Sequence, residues 1–91
     1  DSDLTFAGEG INRYYIRMAA EDKPGILGNI SSTFGKYDIS IESMMQPKHS
    51  EIVPLLFIVH QTKRSVLDAA LAELVENNYV KSIDSVMKVE S

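Results

Sequence analysis

Residues 21–30, EDKPGILGNI, set an acid, a proline and a glycine just ahead of an apolar run at helical spacing. Those residue types suit the binding of a small charged molecule. Gly25 lets a ligand approach the main chain closely, and the N–H groups of Gly25, Ile26 and Leu27 would emerge at the partly positive start of a helix. A carboxylate fits there, while Asp22 would accept hydrogen bonds from an ammonium or hydroxyl group of the same molecule. Together they describe an amino acid. The same residues also support a purely structural role, with Asp22 capping the helix and Pro24 and Gly25 shaping its entry. Taken alone, they leave both roles open.

Other chemistry is thinly represented. The two histidines are His49, in a turn, and His60, at the end of an apolar run, and neither has the nucleophile and orienting group that catalysis needs. With Glu51 or Asp38 they lack the regular spacing of a metal motif. No Lys-Ser/Thr pair follows Gly28 and no GxGxxG spacing occurs, so nucleotide binding has little support. Tyr14, Tyr15 and Phe57 fall on strands that stack bases in some RNA-binding proteins, but without a basic surface they suit a core or an interface better. Met44 and Met45 suit packing.

Composition narrows the classes further. The 91 residues, 44% hydrophobic and 24% charged, form one small domain with a modest core. A net charge of -4 argues against a nucleic-acid partner, and no apolar stretch approaches the roughly 20 residues that span a bilayer. The absence of cysteine fits a reducing cytoplasm, and the start, DSDLTFAGEG, has neither the basic end nor the apolar core of a signal peptide. Lacking a methionine, that start is expected to be a cut within a longer protein.

The elements that must position the turn follow from periodicity. Aromatic and branched residues predict a strand over 14–20, preceded by an arm or linker over 1–12, with the domain proper over 13–91. Pro24 then stands like a first-turn proline, and Ile26, Leu27, Ile30 and Phe34 share one face of a helix ending near Lys36. Ile39 and Ile41 alternate with Ser40 and Glu42 as a half-buried strand does. After the turn PKHSE, the run IVPLLFIV over 52–59 is apolar on both faces and is expected to be a central strand, with Pro54 at its beginning. A second helix carries the stripe Val66, Leu67, Ala70, Leu71, Leu74 and Val75, with Ser65 and Asp68 spaced as a capping box. A last strand over 80–89 is expected to be interrupted near Asp84.

The order βαββαβ predicts an α+β, ferredoxin-like sandwich: a four-stranded antiparallel sheet with two helices on one face. Its other face is bare. Because the third strand is apolar on both sides, that face is expected to meet a partner, most simply a second copy in a homo-oligomer.

The residues DKPGIL, then YDISIESM, in a βαββαβ order resemble the ACT domain, a regulatory module that binds amino acids and is appended to metabolic enzymes. The resemblance covers residues 14–89. More narrowly, YYIRMAAEDKPGIL, ISIESMMQ and VPLLFIVHQT are similar to the C-terminal ACT domain of bacterial homoserine dehydrogenases, including Val53-Pro54 and His60. The resemblance implies effector contacts at Asp22, Pro24 and the main chain of Gly25, Ile26 and Leu27, with Asn29 reaching the same cleft. Ser40 would enter from a neighbouring copy. Ala20 stands where serine-binding relatives place a histidine, so threonine, the end product of the pathway, is the effector implied. The domain itself would need no cofactor and catalyse nothing, whereas a parent dehydrogenase would use NAD(P). Two alternatives are a structural oligomerisation module of the same enzyme, and the small subunit of acetolactate synthase, whose ACT domains also carry Ile-Glu-Ser.

Overall fold

The computed structural model describes residues 10–46 and 52–89. Its elements are β1 (Ile11–Glu21), α1 (Ile26–Lys36), β2 (Ile41–Met45), β3 (Ile52–Lys63), α2 (Arg64–Glu76) and β4 (Ser82–Lys88). The order is the expected βαββαβ, and the sheet runs β2-β3-β1-β4 with every neighbouring pair antiparallel. This is the ferredoxin-like α+β sandwich. The first strand starts earlier than the pattern indicated, since Ile11 and Asn12, assigned to the arm, pair with Lys63 and Thr62.

Alternation places the core. Tyr14, Ile16, Met18 and Ala20 of β1 and Leu55, Phe57 and Val59 of β3 are buried against Ile30 and Phe34 of α1 and Leu67, Ala70, Leu71 and Leu74 of α2. Phe34 meets Phe57 edge to face, ring centroids 5.7 Å apart, an arrangement that adds about 1 kcal/mol to the area it buries. As expected of a doubly apolar strand, β3 is internal. Pro54 lies third in it, opposite Ala19. The bare side of the sheet carries half-buried Tyr15, Leu56 and Ile58, with Met45 and Met87 exposed at its edges. Over β3, Arg13 of β1 grips Glu42 of β2 with two hydrogen bonds of 2.9 Å.

Both helices end alike. Asp38 (φ 58°) and Asn78 (φ 60°) adopt the left-handed conformation, and the N–H groups of Ile39 and Tyr79 reach back to the carbonyls of Phe34 and Leu74. These are Schellman endings, each bringing an apolar residue home beneath its helix. The register of β4 against β1 slips around Asp84, where the interruption was expected.

Three local expectations fail. Ser65 is not the cap of α2: the N-cap is Lys63, no side chain caps it, and Asp68 accepts a 2.8 Å hydrogen bond from Arg64 Nε instead. Leu27 and Val75, placed on apolar stripes, are 39% and 42% exposed, because each lies at the margin of its helix's buried face. The regular part of β2 begins only at Ile41, leaving Ile39 buried as part of the α1 ending. The turn PKHSE, with His49 and Glu51, lies outside the described residues.

Candidate functional site

The chain leaves β1 at Glu21 and enters α1 through a tight turn. Pro24 pre-sets φ at the turn's second position, and Gly25, at φ 87° and ψ -11°, takes the third, the combination of a type II turn. The Ile26 N–H closes it onto the Lys23 carbonyl at 3.3 Å, and the first helical bond runs from the Asn29 N–H to the Gly25 carbonyl at 2.9 Å. Pro24 therefore precedes the helix rather than opening it. Gly25 is the N-cap, with Asp22 three residues before it.

This geometry changes which main-chain donors are available. Ile26, one of the three expected to face a ligand, is engaged in the turn. The N–H groups of Gly25, Leu27 and Gly28 make no main-chain hydrogen bond among the described residues. All three lie within the first turn, where the helix's partial positive charge is concentrated.

Above them is an open cleft of about 250 Å³, bounded by Asp22, Pro24, Gly25 and Leu27 and closed opposite by Gln46, at the end of β2, and Leu55 of β3. Five of the seven expected residues thus gather here: Asp22, Pro24, Gly25, Ile26 and Leu27. Asn29 and Ser40 do not line it. Asn29 is exposed, with its carbonyl taken by the Thr33 hydroxyl at 2.9 Å, and the Ser40 carbonyl accepts the His60 N–H at 2.8 Å at the far end of β2. Gln46 and Gly28 were missed by the sequence pattern. Only the strand order, which brings the end of β2 beside the turn, could have pointed to Gln46.

The charges around the cleft are of both signs. The Glu21 carboxylate is held by Lys23 Nζ at 2.6 Å and Lys81 Nζ at 3.3 Å. The Lys23 and then the Lys81 hydrogen bonds keep its carboxyl below the usual 4.5, and Glu21 in turn raises Lys23 above its usual 10.5. The lip therefore sets the Lys23 ammonium beside the Asp22 side chain. A zwitterion finds a complement for both ends. Among the described residues no group of His, Asp and Glu converges as a metal site would, and no helix is long and apolar enough to cross a membrane.

A four-stranded sheet backed by two helices, with a Pro-Gly turn opening a cleft at the start of the first, defines an ACT domain. The ACT family model matches residues 14–77, and the chain belongs to that family. Homoserine dehydrogenases are among its most similar relatives. The chain is 30% identical over 82 residues to the enzyme of Synechocystis, and 30% identical over 83 residues to that of Corynebacterium glutamicum, covering 89% and 91% of itself. It spans only 19% of the length of either enzyme. The crystal structure of a homoserine dehydrogenase from Thiobacillus denitrificans superposes with a TM-score of 0.79 at 27% identity, over 89% of this chain and 18% of that one.

Proposed function

We propose that this chain is the regulatory ACT domain of a homoserine dehydrogenase and binds an amino-acid effector, threonine in preference to others, in the cleft over Gly25. The observation that supports this reading is the type II turn, which sets the Gly25, Leu27 and Gly28 N–H groups, none bonded to another main-chain group among the described residues, at a cleft beside Asp22 and Lys23. The effector's carboxylate takes the main-chain donors and its ammonium faces Asp22. Binding shifts the linked enzyme between states by differential affinity for them. The dinucleotide, NAD(P), belongs to the parent enzyme, a cytoplasmic biosynthetic catalyst, and not to this domain, whose sequence has no dinucleotide fingerprint.

Calorimetry with threonine and a panel of other amino acids tests the reading. At a hundred times its dissociation constant, threonine is expected to add about 2.7 kcal/mol of stability. Asp22→Asn should weaken binding about tenfold or more, as loss of a charge-assisted hydrogen bond does. A chain silent to every amino acid refutes the sensing role.

A second reading, that the domain holds subunits together, is favoured by the apolar bare face of the sheet around Tyr15, Leu56 and Ile58. Analytical ultracentrifugation is expected to find a homodimer that Ile58→Lys dissociates. A wild-type chain that stays monomeric at high concentration refutes it.

A further inference from the structure

A second cleft, of about 370 Å³, adjoins the first, with Glu21, Lys23 and Ile26 lining both. Its wall is the end of α2 and the entry to β4: Val75, Tyr79 and Val80, with Lys81, Glu21 and Lys23 on the rim. It falls within the size range of small-molecule sites, about 300 to 1,000 Å³. The wall is pinned by three main-chain bonds of 2.7 to 3.0 Å: Asn78 to Val75, Tyr79 to Leu74, and Lys81 to Ala19.

The chemistry of the rim selects an anion. Two ammonium groups converge on one carboxylate, leaving one positive charge uncompensated within the cluster. Glu21 holds the two unequally, at 2.6 Å for Lys23 and 3.3 Å for Lys81, so Lys81 is the more readily recruited by another carboxylate. In the same cleft Val75 is 42% exposed, an apolar surface left open among the described residues. An anion with an apolar body would cover that surface, and one without would leave it wet.

We infer that this cleft binds a small monocarboxylate with a short, branched aliphatic body, the carboxylate resting on Lys81 and the body against Val75 and Tyr79. The site adjoins the Gly25 cleft, but Lys81, Val75 and Tyr79 do not line that one, and the inference does not depend on the reading of it.

Titration of the 91-residue chain with isovalerate, followed by backbone amide chemical shifts, tests it. Saturable shifts are expected at Asn78, Tyr79 and Lys81, and none with isobutylamine, which has the same body but the opposite charge. Lys81→Met should weaken isovalerate at least tenfold. Glu21→Gln should tighten it several-fold, because a competing carboxylate is gone, and this variant keeps the test decisive should Lys81→Met perturb the fold. The inference is overturned if the shifts fall on Gly25 to Gly28 instead, if isobutylamine binds equally well, or if Glu21→Gln weakens isovalerate.

Discussion

The two helices of this domain end in the same way but begin differently. Asp38 and Asn78 close α1 and α2 with matching left-handed residues and matching return bonds, a local solution that any helix can use. At the starts, α2 grows straight out of β3, with Lys63 in extended conformation as its N-cap. Helix α1 is entered through a turn that needs a glycine in the left-handed region and leaves its donors facing a cleft. The effector cleft proposed for this domain lies at the second of these two starts.

The largest expected effect comes from removing the conformational freedom of that turn. At φ 87° a side chain is strained by about 1 to 2 kcal/mol, and a Cβ on Gly25 meets nothing within 4 Å, so the cost of Gly25→Ala is purely one of backbone. Gly28→Ala, also free of neighbours, sits within α1 and should have the opposite sign, stabilising by about 0.5 to 1 kcal/mol. Urea unfolding of both variants measures the contrast. Equal effects would mean that the turn is not held in its left-handed form, and the distinction between the two helix starts would collapse.

How much of this was legible in the sequence depended on the range of the interaction. The strand order, the central position of β3 and the slip near Asp84 follow from periods of two and from apolarity on both faces, which are written into neighbouring residues. The five turn residues that line the cleft were legible for the same reason. Gln46 was not, because it reaches the turn only through the pairing of β2 with β3. The engagement of the Ile26 N–H was hidden by a choice between a first-turn proline and a type II turn, two roles that Pro24-Gly25 fills equally well. Ser65 misled because its spacing to Asp68 is that of a capping box, whereas Arg64, one residue earlier, can reach the same carboxylate.

A smaller effect should separate the ends of the helices from the turn by pH. At the end of α1, Glu73 accepts hydrogen bonds from Lys36 Nζ at 2.9 Å and the Tyr37 hydroxyl at 2.8 Å, tying the end of α1 to α2. The Lys36 and then the Tyr37 hydrogen bonds hold its carboxyl below 4.5, so the stability it contributes is present above pH 4.5 and is lost as pH falls through the lowered value. Lys36 and Tyr37, raised above 10.5 and 10.0 chiefly by their hydrogen bonds to Glu73, contribute below those values and lose it as pH rises further. Glu73→Gln should flatten both limbs of a stability curve measured by urea midpoint. Glu21→Gln should flatten the acid limb, since Glu21 is lowered by its two lysines. A chain whose acid limb is unchanged by both substitutions would show that neither cluster stabilises the folded state.

The smallest effect is expected at the start of α2. Arg64 stands at the positive end of its own helix, and its 2.8 Å pair with Asp68 has the cation N-terminal to the acid, the less favourable order. With the two side chains 48% and 56% exposed, a double-mutant cycle on Arg64→Ala and Asp68→Ala should give a coupling of about 0.5 kcal/mol or less. Arg64→Ala alone should cost somewhat more, up to about 1 kcal/mol, because the guanidinium also lies 5.8 Å from the centre of the Tyr14 ring. A coupling well above that would mean that α2 depends on a side-chain device at its start after all. The two starts would then differ only in which device they use, and the exposed donors of α1 would lose their claim to be a special feature of the fold.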